Sequence, residues 1–161
     1  AEDYGNEIEP FMQPVKTWLD NGVKVVGQME RYTNVGYIFT MLMTRDVGRG
    51  KIVLPQEKLD RVPVMKMWTK WAAGYVMKEN DLGSLEVGKL ADYLVLDKNY
   101  FTIPIADIPK IKPVMTVVGG QPRYLHPDFA KSINAQPVGW QYEAGYEPWG
   151  PYKPEMDGGG D

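Results

Sequence analysis

Gly119-Gly120 stands between two runs with strand character, residues 112–118 and 121–125, and this pair restricts the fold more than any other feature of the chain. The favoured two-residue hairpin turn needs positive φ at both central positions, which glycine adopts without steric cost. The two runs are therefore predicted to pair antiparallel. Ahead of them Gly83 and Gly88 punctuate a turn-rich entry, and residues 93–96 form a further short apolar run. Such short strands are not stable alone, so they need a sheet to join.

The first half of the chain has a different period. Phe11, Met12, Val15, Trp18 and Leu19 recur at three- and four-residue spacing before Asn21-Gly22, which predicts a short amphipathic helix over residues 10–21. The β-branched run Val23-Lys24-Val25-Val26-Gly27 follows at once and reads as a buried strand of a parallel α/β unit. Residues 37–43 are mostly apolar. They lead into Arg45-Asp46-Val47-Gly48-Arg49-Gly50, a polar glycine-bearing loop that suits either the surface or the lining of a site opening. A second helix is predicted over residues 62–77, with Pro63 in its first turn and Val64, Met65, Trp68, Trp71, Ala72 and Tyr75 as its buried face. Its Met and Trp stripe reads as packing rather than as a ligand box.

At 161 residues, 43% hydrophobic and 24% charged, the chain has the balance of one soluble globular domain. A complete (β/α)8 barrel takes about 250 residues, so the chain is too short to be one. Lys and Arg total 18 against 21 Asp and Glu, with no basic cluster, which excludes a nucleic-acid footprint. Without cysteine there is neither a disulfide framework nor a thiolate metal site. No apolar run approaches the roughly 18 residues of a membrane span. The start, Ala1-Glu2-Asp3-Tyr4, is acidic where a signal peptide is basic and then apolar. A cytoplasmic location and export after leader removal both fit it. His126, the sole histidine, precedes Pro127-Asp128 and reads as a surface or interface residue, since one histidine makes a poor metal site. From residue 127 the chain is rich in Pro, Gly, Tyr and Trp. Trp140, Tyr142, Tyr146, Trp149 and Tyr152 predict an irregular arm lying on another surface, with disorder in the last few residues.

Two segments carry a resemblance: Gly83-Ser84-Leu85-Glu86-Val87-Gly88-Lys89-Leu90-Ala91-Asp92-Tyr93-Leu94-Val95-Leu96-Asp97, and Met115 to Gly120. Together with the helix, Gly-Val-Lys-Val-Val run and second helix before them, they are similar to the C-terminal third of the amidohydrolase-3 branch of the amidohydrolase superfamily, over roughly residues 10–124. The resemblance implies an α/β fold class: the C-terminal part of a (β/α)8 TIM-like barrel plus strands of a small composite β-sandwich. A partner chain or an N-terminal segment elsewhere would complete it. The implied division is residues 1–80 for the last barrel elements, 81–126 for sandwich strands and 127–161 for the arm. Gly83, Gly88, Lys89, Asp92 and Asp97 belong to turns, caps and strand ends in this reading.

The family's functional aspartate ends the eighth barrel strand, usually within Gly-Ser-Asp, and deprotonates a metal-bound water. Gly-Ser-Asp is absent from this chain. With residues 23–26 as the eighth strand, an ungapped register puts Glu30 at the aspartate position and a shift by one puts Met29 there. Glutamate suits a general base or metal-proximal role, whereas methionine suits neither with a hard metal. A salt bridge from Glu30 to Arg31 or Arg45 is the structural alternative. Arg31 and Tyr32 follow on the mouth side of that strand, where this fold places active sites, and suit a substrate carboxylate or carbonyl. The resemblance thus implies the small, C-terminal part of a metal-dependent amidohydrolase acting on C–N or related bonds of a small-molecule substrate. One or two divalent ions, zinc by preference, would be held by a larger N-terminal chain within a higher oligomer. A non-catalytic subunit that completes the barrel and clasps its partner through the aromatic arm is the alternative.

Overall fold

The computed structural model describes residues 13–28, 34–48 and 50–141. Its helices are α1 (Val15–Asp20), α2 (Val35–Thr44), α3 (Arg61–Met67), α4 (Lys70–Tyr75) and α5 (Pro127–Ser132), and its strands are β1 (Tyr93–Leu96), β2 (Pro113–Val118) and β3 (Gln121–Leu125). Two 3₁₀ turns, Pro55–Glu57 and Ile105–Lys110, complete the set of regular elements among the described residues.

The strands form one antiparallel sheet in the order β1-β2-β3. Leu94 faces Thr116 and Thr116 faces Tyr124, while Val95, Met115 and Leu125 line up on the other face. The hairpin is the predicted one, with Gly119 at φ 59° and Gly120 at φ 73°. Asp92 accepts from the Gly119 amide at 2.6 Å, tying the turn to the entry of β1. Proline sits where a missing N–H is tolerated, at the first residue of β2 and on the edge strand β3.

The core gathers Val15, Phe39, Leu42, Met43, Leu59, Val64, Met67, Tyr100 and Ile108. Phe39 meets Trp68 at 4.9 Å and the edge of Tyr100 at 5.7 Å between ring centroids. Burial pushes the Tyr100 phenol up to about 12, and its hydroxyl donates to the Arg61 carbonyl at 3.0 Å. The helical half joins the sheet half where α2 meets the Ile105–Lys110 turn. Asn34 caps α2 by accepting from the Gly36 amide, and its amide group donates to the Pro109 carbonyl at 2.7 Å. A side chain at Gly36 would meet Pro109 Cα at 2.7 Å.

Several expectations change. Residues 23–28 take no ladder partner and form no strand: a parallel strand needs neighbouring strands, and none lies beside this run among the described residues. The apolar stretch 37–43 belongs to helix α2. The helix expected over 62–77 is two, broken at Trp68 and Thr69, where the Thr69 hydroxyl donates back to the Met65 carbonyl at 2.9 Å and competes with the helical ladder. The break turns Tyr75 outward, to 77% exposure, and buries Ala73 instead. The arm begins with regular structure, α5, and Val138 forms an isolated bridge to Leu125. Its later aromatic residues, Tyr142, Tyr146, Trp149 and Tyr152, lie outside the described residues. Neither a barrel strand nor a second sheet layer occurs among the described residues.

Candidate functional site

The residues predicted to act, Glu30, Arg31 and Tyr32, lie outside the described residues, as does Met29 of the alternative register. The chain that leads to them is described. The Gly27 amide donates to the Met67 carbonyl at 3.1 Å, and a β-carbon on Gly27 would come within 2.2 Å of the Trp68 ring. Glycine is therefore required where this segment crosses the end of α3.

His126 caps α5: its Nδ1 accepts from the Asp128 amide at 3.3 Å, with the Asp128 carboxylate at 4.0 Å and the ring partly exposed. It is a surface histidine used for capping, as its sequence context suggested. Among the described residues no group of three or more His, Cys, Asp or Glu side chains is placed to hold a metal ion. With Nδ1 committed to the α5 cap, the donor set of the described residues does not fit a divalent ion.

The residues of the glycine-rich entry segment have structural roles. Lys89 donates to the Leu82 carbonyl, the Glu79 carbonyl and the Ser84 hydroxyl, closing the loop before β1. Asp97 accepts from the Lys112 amide at 2.8 Å and from Lys98 at 2.6 Å, joining the end of β1 to the start of β2. Burial pushes the Asp97 carboxyl up, but these bonds and the Lys98 charge outweigh it and hold the group below the usual carboxylate range.

Sequence reasoning missed one polar cluster. Glu57 and Arg45 are both buried, at 6% and 4% exposure. The Glu57 carboxylate accepts from the Thr17 amide at 3.0 Å and the Thr17 hydroxyl at 2.5 Å. Arg45 ends α2 in the left-handed region, φ 60°, and its Nε donates to the Val53 carbonyl at 3.0 Å. Burial pushes the Glu57 carboxyl up, yet its bonds from Thr17 and the Lys16 amide, with the Arg45 charge, bring it net below its ordinary value. Burial lowers the Arg45 guanidinium, and Glu57 opposes that shift. In the sequence, Glu57 follows Val53-Leu54-Pro55-Gln56 with nothing to mark a partner 40 residues away.

Two open cavities lie apart from this cluster. One, of about 650 Å³, runs along the sheet and α5 between Lys112, Val114, Thr116, Tyr124, His126 and Phe129. The other, of about 340 Å³, lies between α2 and the loop after it, with Tyr37, Thr40, Thr44 and Asp46 on its wall. The loop is a small turn: Asp46 accepts from the Gly48 amide at 2.8 Å, and Asp46 bridges Ile52.

A family model described as "Amidohydrolase family" matches residues 1–124 of the 161. No curated protein and no solved structure matches the chain.

Proposed function

The chain belongs to the amidohydrolase family, and from that membership we propose that it is the C-terminal portion, as a small subunit or a processed fragment, of a metal-dependent amidohydrolase. The match over residues 1–124 carries this reading and supports a hydrolase in general. The reaction class proposed is hydrolysis of an amide-like C–N bond, or a related bond, in a small molecule. Because the described residues do not fit a metal, the ligands of one or two divalent ions, zinc in this reading, are assigned to a larger partner chain. Bound there, such an ion would supply the chemistry of a Lewis acid, lowering the pKa of a water and polarising a carbonyl.

This chain's own contribution is assigned to Glu30, Arg31 and Tyr32. Glu30 accepts the proton of the attacking water as general base, and Arg31 with Tyr32 holds a substrate carboxylate or carbonyl. Replacing Glu30 by Gln in the intact assembly keeps the shape and removes the basic oxygen, so kcat is expected to fall by about 10²–10⁴-fold without loss of assembly. Unchanged turnover overturns the assignment. One observation favours a second reading, a non-catalytic subunit that completes the fold of its partner: Gly-Ser-Asp, the setting of the family's base, is absent. In that case Glu30→Gln leaves turnover intact, while removal of the whole subunit abolishes it.

A further inference from the structure

Helix α1 has little local support: an exposed Lys16–Asp20 pair one turn apart and an exposed Asn21 side-chain bond to the Thr17 carbonyl, each a weak contribution in water. It has six residues, no side-chain cap at Pro14, no acidic residue in its first turn and no basic residue in its last. Isolated helices below about 12–15 residues are marginal in water, so α1 exists because something holds it. Its apolar hold is small: Val15 is buried, Leu19 packs partly against the core, and Trp18 is 43% exposed. Residues 23–28 beyond it are exposed or half-buried and outside any ladder.

What α1 lacks locally is supplied from far along the chain. The first amides of a helix have no internal acceptor and its N-terminus favours negative charge. The Glu57 carboxylate meets both needs, accepting from the Thr17 amide in the first turn and from the Thr17 hydroxyl. Glu57 is itself held: Leu54 sits at φ 50° before Pro55, and the Glu57 amide donates to the Leu54 carbonyl at 2.9 Å. Arg45, fixed to the Val53 carbonyl, also reaches the Gln13 carbonyl at 3.5 Å, ahead of the helix. At the other end Gly27 seats the chain against Trp68.

We propose that residues 13–28 form a releasable strap, docked at one end by Glu57 acting as an N-terminal cap from a distant segment and at the other by Gly27 against Trp68. Loss of the Glu57 carboxylate frees α1 and bares the apolar surface under Val15 and Leu19, while the rest of the core keeps its own contacts. The charged groups around this latch are Arg45 at the end of α2, Lys16 on α1 with its partner Asp20, and Asp60 before α3. The strap ends just before the segment that carries Glu30, and its docking is read by amide exchange, which does not depend on the role assigned to Glu30.

Hydrogen exchange read by mass spectrometry on the full chain, or on its assembly, tests it. In Glu57→Gln, amides of residues 15–28 are expected to exchange about tenfold faster, with those of α2 and β2 unchanged. Thr17→Val removes one contact without touching a charge and is expected to move the same peptides in the same direction by less. Gly27→Ala is expected to loosen residues 23–28 from the other end. Unchanged exchange over the strap overturns the proposal, and so does faster exchange spread through α2 and the sheet.

Discussion

Glu57 is a buried acid kept ionised by donors brought from another segment, and that has a consequence for acid stability. Its folded-state pKa is net lowered from the ordinary value of 4.5. A carboxyl depressed by folding contributes stability that is fully present above its unfolded pKa and is lost as pH falls through the folded one. The loss therefore lies below pH 4.5. Thermal melts between pH 6 and pH 3 are expected to show Glu57→Gln starting less stable than the parent. The gap should then narrow as the parent loses its charged cap, because the amide has nothing to protonate. A gap that stays constant to pH 3 would mean that the ionised form is not what holds α1. Asp97 is depressed too and contributes equally in both proteins, so the difference isolates Glu57.

The elements of this chain are short, and what joins them is close backbone approach rather than long ladders. Gly83, at φ 86°, lies so near α4 that a β-carbon would meet Ala73 Cβ at 2.7 Å. Gly88, at φ 95°, has nothing within 4 Å. Alanine at either position is strained by the positive φ, but only at Gly83 does it also push an element away. Gly88→Ala is expected to lower stability by about 1–2 kcal/mol and Gly83→Ala by about 2–4 kcal/mol, measured as midpoints of urea unfolding. Equal losses would mean that the seat on α4 relaxes freely. The same logic explains the residues that made the family recognisable: Lys89, Asp92 and Asp97 bind backbone groups that close the β1 entry, the hairpin and the β1–β2 junction. They mark a fold, and the acid–base chemistry is assigned elsewhere.

For the whole molecule, the exposed apolar side chains matter most. Leu85, Val87, Leu90, Leu94 and Val118 on or beside the three-stranded sheet are all more than 45% exposed, and so are Val76 and Met77 at the end of α4. No helix of the described residues is long and apolar enough to cross a membrane. An open sheet edge with an apolar face attracts another chain, which supports the partner proposed above. Native mass spectrometry with metal analysis, on material purified without denaturant, is expected to show this chain with a larger one and one or two zinc-type ions. A metal-free assembly would favour the structural subunit, and a monomer would remove the partner from the reading.

The hairpin, β1, α1 and the helical character of residues 62–77 were legible in the sequence because each rests on local rules: Gly-Gly for positive φ, apolar runs for strands, and three- and four-residue spacing for helices. Family membership was legible for the same reason, since its markers are contiguous turns and strand ends between Gly83 and Gly120. The break at Trp68-Thr69 was not, because a helical period does not show whether a threonine hydroxyl bonds back to the turn before it. The run at residues 23–26 has strand composition, yet a strand exists only where a neighbour offers a ladder. For the candidate site, the sequence named Glu30, Arg31 and Tyr32 by their place after that run and left two registers open at Glu30 and Met29. The Glu57–Thr17 cap was decided by tertiary structure alone, because a hydrogen bond between residues 40 positions apart leaves no local pattern in either segment.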